Sequence, residues 1–244
     1  MCQTCGCGDP GIVPVEIHDR ILAENDRTAG HNREHFAEHR VLAVNVMGSP
    51  GSGKTALLET TARRLAGRAR LAAISGDLET HRDAERLAAA GIPSRAITTG
   101  SACHLDAAMV HHALHDLPIE EGLDYLFVEN VGNLVCPAVY DLGQGASVVV
   151  LSVTEGEDKP LKYPVMFRKA DLVVLSKMDL LPHLEVRVDA IEDALARTMP
   201  AMRLLRVSAR SGEGFDAWLD WLAERRRDLP SASGPAHAPG RAHP

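Results

Sequence analysis

The sequence predicts an α/β fold, a mainly parallel sheet flanked by helices, and three observations carry that prediction. Between residues 41 and 208, short and almost continuously apolar runs alternate with longer amphipathic stretches. Strands covered on both faces lose the alternation of a half-exposed sheet, and parallel neighbours need crossovers long enough to hold a helix. The third is the glycine-rich stretch GSPGSGKT, Gly48 to Thr55, which falls directly between the first apolar run and the first helical one.

Taken in order, residues 1–8 are a cysteine-rich motif and 9–40 a linker with an amphipathic segment. There Ile17, Ile21 and Leu22 place a short apolar stripe within Val15 to Phe36, which predicts one or two helices packed on the main domain. Residues 41–228 form that domain. Its strands are expected at 41–47, 69–75, 94–98, 124–130, 146–153, 171–176 and 202–208, and its helices near 54–66, 80–90, 104–116, 184–197 and 214–227. Residues 229–244 are rich in proline, glycine and small polar residues, which predicts a disordered tail.

Composition excludes several classes. A chain of 244 residues with 45% apolar content can bury one large core. Lys and Arg number 26 against 33 Asp and Glu, a net charge of −7, so no general attraction for nucleic acid or anionic lipid is expected. The N-terminus lacks the basic start and apolar run of a secretory signal, and no run is long enough to span a membrane; a cytoplasmic location follows as an expectation. Five cysteines there read as thiols or metal ligands rather than a disulfide framework. Twelve histidines include HHALH at 111–115, which alone says little.

GSPGSGKT meets the Walker A pattern in its strand-to-helix context. Gly48, Ser49, Pro50, Gly51, Ser52 and Gly53 would curl so that backbone N–H groups face phosphate oxygens at the positive end of a helix. Lys54 would reach the β- and γ-phosphates and Thr55 would give Mg²⁺ an oxygen. Asp77, at the end of the second strand, would hold Mg²⁺ directly or through water, or else cap the following helix. Glu129 and Gly132, in FVENVGN, sit where an acidic strand end and a γ-phosphate-sensing glycine belong. Lys54, Asp77 and Glu129 are thus the catalytic candidates. Farther on, SKMD resembles the NKxD guanine signature of GTPases. Lys177 would lie along a guanine ring and Asp179 would accept from its N1 and exocyclic amine, where a lone KxD would equally be a solvated lysine and a helix-capping aspartate. Ser208 and Ala209 of VSARSGEG would add backbone contacts to O6. The two loops favour GTP over ATP.

Cys103, His104 and Cys136 fall near the carboxyl ends of predicted strands. They read either as three ligands for Zn²⁺ or Ni²⁺, or as buried thiols beside a solvated histidine. Cys136 follows Gly132 by four residues, so movement of the Glu129–Gly132 segment would disturb it. Cys2, Cys5 and Cys7 form CxxCxC with no helix after it to lower a thiol pKa, which suits a mobile metal clamp better than a redox pair. EGEDKPLKYP (155–164) reads as a loop, since Pro160 argues against a long helix; it either brings Lys159 or Lys162 near nucleotide or a partner subunit or is a solvated charged loop.

With CQTCGCG, GSPGSGKT, GDLET, SACHLD, ENVGNLVCP, EGEDKPLKYP, SKMD and SARSGEG in this order, nearly the whole chain resembles the HypB-type hydrogenase nickel-incorporation GTPases of the SIMIBI class of P-loop proteins. The resemblance implies a high-affinity nickel site on Cys2, Cys5 and Cys7. It implies a second site, for nickel or zinc, at a homodimer interface on Cys103, His104 and Cys136. It further implies slow hydrolysis of GTP to GDP, nucleotide- and metal-linked dimerisation, and cooperation with a HypA-type zinc metallochaperone and a SlyD-type prolyl isomerase. The recipient implied is the large subunit of a [NiFe]-hydrogenase. Two features depart from the pattern. The long histidine-rich insertion of many relatives is replaced by scattered His18, His31, His35 and His39, and Ser176 stands where the guanine signature has asparagine.

Overall fold

Seven strands, all parallel, make one sheet: β1 (Leu42–Met47), β2 (Leu71–Asp77), β3 (Ser94–Thr98), β4 (Tyr125–Glu129), β5 (Ala146–Ser152), β6 (Leu172–Ser176) and β7 (Leu204–Arg206), in the order β3-β2-β4-β1-β5-β6-β7. The computed structural model describes residues 15–100, 102–199 and 203–229, with side chains from residue 20 onward. Cys2, Cys5 and Cys7, and the stretch 230–244, lie outside the described residues.

The unbroken apolar runs have a simple cause: β1, β4, β5 and β6 are buried at every position. Alternate residues serve two layers. Val44, Val46, Phe127, Val148 and Val174 pack against α2 (Lys54–Leu65), α3 (Arg82–Ala89) and α8 (Phe215–Arg227). There Trp218 is wholly buried and its indole N–H donates to Thr61 Oγ1 at 2.8 Å. The opposite face carries α1 (Val15–Glu38) and α4 (Ala107–Leu114) over β2 and β4, and α6 (Pro164–Arg168) and α7 (Val188–Thr198) over β5 and β6.

α1 is a single helix of 24 residues, and polar side chains anchor it where its apolar stripe is thin. Asn25 accepts from the Ala107 N–H at 2.9 Å and donates to the Asp141 carbonyl at 2.9 Å; Asn32 donates to the carbonyls of Ala107 and Leu142 at 2.9 and 3.1 Å. Both asparagines are buried, so each bond replaces a water and would be costly to leave unmade. The segment 155–164 is not purely a loop. Proline at the first turn starts α5 (Lys159–Lys162) and then α6, the helical position that tolerates its missing N–H. Lys162 pairs with Asp158 at 2.6 Å and Lys159 approaches Glu155 at 4.0 Å. Among the described residues no helix is long and apolar enough to cross a membrane.

The sheet order places the sites. β1 and β4 are neighbours in register, with Val46 beside Glu129, so the loop leaving β1 and the carboxylate ending β4 emerge side by side. Ligands of open α/β sheets collect at this carboxyl edge.

Candidate functional site

The phosphate loop wraps the start of α2. Gly48 has φ of 147° and a β-carbon there would overlap the Val150 carbonyl; Gly53, at φ of 100°, turns the chain into the helix. Lys54 is buried and its ammonium donates to the carbonyls of Gly48 and Ser49 at 3.3 and 3.2 Å. Burial lowers its pKa, against the raising influence of Glu129 and Asp83. The Thr55 hydroxyl stands 2.9 Å from Asp83 Oδ1 and 2.8 Å from Glu129 Oε1. Its single hydrogen serves one of these carboxylates at a time, and Glu129 Oε2 is buried with no partner. A hydroxyl and two carboxylates, one oxygen orphaned, fit the oxygen shell of a hard divalent cation such as Mg²⁺. A cavity of about 450 Å³ opens over them, lined also by Asp77, Arg86, Asn130 and Gly132.

Asp77 lines this cavity, yet its oxygens are engaged locally: Oδ1 accepts from the N–H groups of Glu79 and Thr80 at 3.1 and 3.4 Å, and Oδ2 from the Thr80 hydroxyl at 3.0 Å. Burial works against ionisation, but the Glu79 N–H and the Thr80 donors hold the carboxyl below its ordinary pKa. It braces the 77–80 turn rather than the start of α3. The carboxylate against Thr55 is instead Asp83, in the first turn of α3, and Arg86 bonds Glu59 through two nitrogens at 3.0 and 2.9 Å and Asp83 at 3.2 Å. Sequence reasoning missed both, because a helix-borne acid lacks a strand-end address; its only signal is an acidic residue in the first turn of HRDAE.

Glu129 is the most perturbed of these groups. Loss of water raises its pKa to about 7, with Lys54 pulling down and Asp83 pushing up. The folded protein thus binds this proton more tightly than the unfolded chain. Its contribution is fully present below an ordinary carboxylate pKa of about 4.5 and is lost as pH rises to about 7, a decline of about 3 kcal/mol. Glu129→Gln removes that slope. In denaturant titrations without nucleotide or divalent cation, wild type should lose more stability than the variant between pH 4.5 and 7.5. Parallel curves would mean that this carboxylate is not desolvated.

A second cavity, of about 340 Å³, shares Gly53 and Ala56 with the first and continues past Thr60 to Lys177, Asp179 and Ala209. Lys177 adopts φ of 61° and its ammonium donates to the Gly51 carbonyl at 2.6 Å. The Ser176 hydroxyl donates to the Ser52 carbonyl at 2.5 Å, so the serine makes a tether to the phosphate loop. Ser208 donates to Asp179 Oδ1 at 2.6 Å and accepts from the Ser211 N–H at 3.1 Å, which brings the two expected base loops together on one wall.

The internal trio also converges. Cys103 and Cys136 sulfurs lie 2.9 Å apart, Cys103 Sγ is 3.9 Å from His104 Nδ1, and the three ligand atoms fall within 4.8 Å of one another. His104 is buried and stacks on Tyr140 with ring centroids 3.9 Å apart. Burial lowers its pKa despite Asp106, keeping a lone pair available for metal. Two thiols and a neutral imidazole suit Ni²⁺ or Zn²⁺.

The stretch from Glu129 to Cys136 joins the two sites. Asn130 accepts from the Leu105 N–H, one residue beyond His104, at 3.1 Å and donates to Asn45 at 3.1 Å. A β-carbon on Gly132 would lie 2.9 Å from the Pro50 nitrogen, and Asn133 bridges to Gly48.

Residues 42–206 match the family described as CobW/HypB/UreG, nucleotide-binding domain. The chain is 52% identical over 212 residues to the hydrogenase maturation factor HypB of Azotobacter vinelandii, covering 87% of this chain and 70% of that one. It is 39% identical over 218 residues to the hydrogenase/urease maturation factor HypB of Helicobacter pylori, covering 88% and 89%. A crystal structure of Helicobacter pylori HypB in complex with nickel superposes with a TM-score of 0.80 at 38% identity, covering 86% of this chain and 98% of that one. The phosphate loop, the base wall and the thiol–imidazole trio therefore lie in a chain that belongs to the CobW/HypB/UreG nucleotide-binding family and, within it, to the HypB hydrogenase maturation factors.

Proposed function

We propose that this protein is a GTP-hydrolysing nickel metallochaperone that serves the large subunit of a [NiFe]-hydrogenase. The observation that carries the reading is the single stretch Glu129–Cys136, which touches the phosphate loop at Gly132 and Asn133 and the thiol site at Asn130 and Cys136. Loop amides and Lys54 offset charge on the transferring γ-phosphoryl, and Asp179 selects guanine. Thr55 would hold Mg²⁺ with Asp83, and with Asp77 through water; the ion would neutralise phosphate charge. Glu129 orients the attacking water or the cation's shell. Hydrolysis to GDP is slow in this reading.

Nickel is the cargo. It would enter on the thiolates of Cys2, Cys5 and Cys7 and occupy Cys103, His104 and Cys136, a set that also accepts Zn²⁺. Val135 and Val139, flanking Cys136, are 54% and 36% exposed, a surface suited to a homodimer joined across the metal. A HypA-type zinc metallochaperone, and a SlyD-type prolyl isomerase, are the proposed companions. Deleting residues 2–7 should abolish the tighter nickel-binding event and leave GTP hydrolysis within twofold or so, while Cys136→Ala should abolish the weaker event and metal-linked dimerisation. Calorimetry with light scattering reads both. Retention of both nickel events in the deletion would reject the clamp, and unchanged dimer populations in Cys136→Ala would reject the metal-linked interface.

A further inference from the structure

α1 and α4 pack side by side, and their contact gathers histidines from two distant stretches of chain. His31 and His35 stand one turn apart on α1, with His39 just past its end, and His111 and His115 stand one turn apart along α4 and its cap. Residues three and four apart share a helix face, so each helix presents a row. Ring centroids are 4.7 Å apart for His35 and His39, 5.1 Å for His31 and His111, and 5.4 Å for His111 and His115. A cavity of about 550 Å³ lies against this face, with Glu120 and Glu121 on its rim. Within the row, one ligand atom each from His35, Glu38 and His39 lies within 4.8 Å of the others.

We propose that His35, Glu38 and His39 form a third metal site, for a borderline divalent ion such as Ni²⁺, beside a reserve of imidazoles on His31, His111 and His115. Two imidazoles and a carboxylate form a donor set for Ni²⁺, Cu²⁺ or Zn²⁺ rather than for Mg²⁺ or Ca²⁺. Metal–ligand bonds of about 2.0–2.1 Å leave ligand atoms at most about 4 Å apart, so rotation about the side-chain torsions of exposed or half-buried residues closes the remaining gap. The site lies at the carboxyl end of α1, where the helix dipole favours a cation. His111 Nδ1 contacts Asn32 Oδ1 at 3.1 Å, an oriented ring with its second nitrogen left for exchange.

This inference goes beyond the metallochaperone reading and fails separately from it, because its donors carry no sulfur. The untagged full chain is titrated with NiCl₂, reading stoichiometry by dialysis, thiolate-to-metal absorption, and coordination by X-ray absorption of the last equivalent bound. The expected result is one equivalent bound by nitrogen and oxygen alone, lost in His35→Asn/His39→Asn while the thiolate absorption persists. Unchanged stoichiometry in that variant, or sulfur ligation of every equivalent in wild type, would overturn the proposal. Loss of the thiolate band in wild type would instead sink the cysteine sites and leave this one standing.

Discussion

Lys54→Ala should lower GTP hydrolysis by about 10²–10³-fold and leave nickel stoichiometry at the wild-type value. The ammonium is buried between two loop carbonyls, beside Glu129 and Asp83. Without it, the γ-phosphoryl would meet two carboxylates with only loop amides and the cation to offset its charge, and the deficit grows as charge develops in the transition state. The loss therefore falls on the chemical step as well as on binding. Single-turnover hydrolysis with saturating GTP separates the two. A rate within a few-fold of wild type would show that Lys54 does not face the transferring group. Loss of nickel along with hydrolysis would contradict the separation of the sites.

The second large effect is coupling. Nickel at Cys103, His104 and Cys136 should bind 5–150-fold or so more tightly with GTP than with GDP, the ordinary range for linked sites. The γ-phosphate is expected to hold Gly132 against Pro50, and Asn130 passes that position to the Leu105 N–H beside His104. Cys136 would move with the same stretch. On removal of the γ-phosphate the stretch would relax and the two halves of the thiol site would lose their mutual placement. Gly132→Ala should bring the ratio close to one, because its β-carbon would meet the Pro50 nitrogen at 2.9 Å. Reciprocity requires nickel to favour GTP by the same factor.

The sequence exposed most of the sheet for a physical reason: strands buried on both faces, such as Ala146–Ser152, need unbroken apolar runs. The phosphate loop was equally legible, since a tight loop against Val150 demands glycine at Gly48. Boundaries were less so. The helix expected from 104 starts at Ala107, because Asp106 caps it by accepting from the Met109 N–H at 2.8 Å. The apolar stripe of α1 understates its attachment, because its anchoring rests on Asn25 and Asn32, whose partners lie 75 or more residues away. The same distance hid the histidine row, whose halves are unremarkable until α1 meets α4. No local pattern marks Asp83, whose contact with Thr55 spans 28 residues and two helices, whereas Asp77 has the strand-end address yet closes its own turn.

Isothermal titration of nickel into protein lacking residues 2–7, loaded with a non-hydrolysable GTP analogue or with GDP, addresses the connection between nucleotide and metal most directly. Tighter binding in the triphosphate form, lost in Gly132→Ala, is the predicted result. Equal affinity and equal subunit arrangement in the two loaded forms would contradict it.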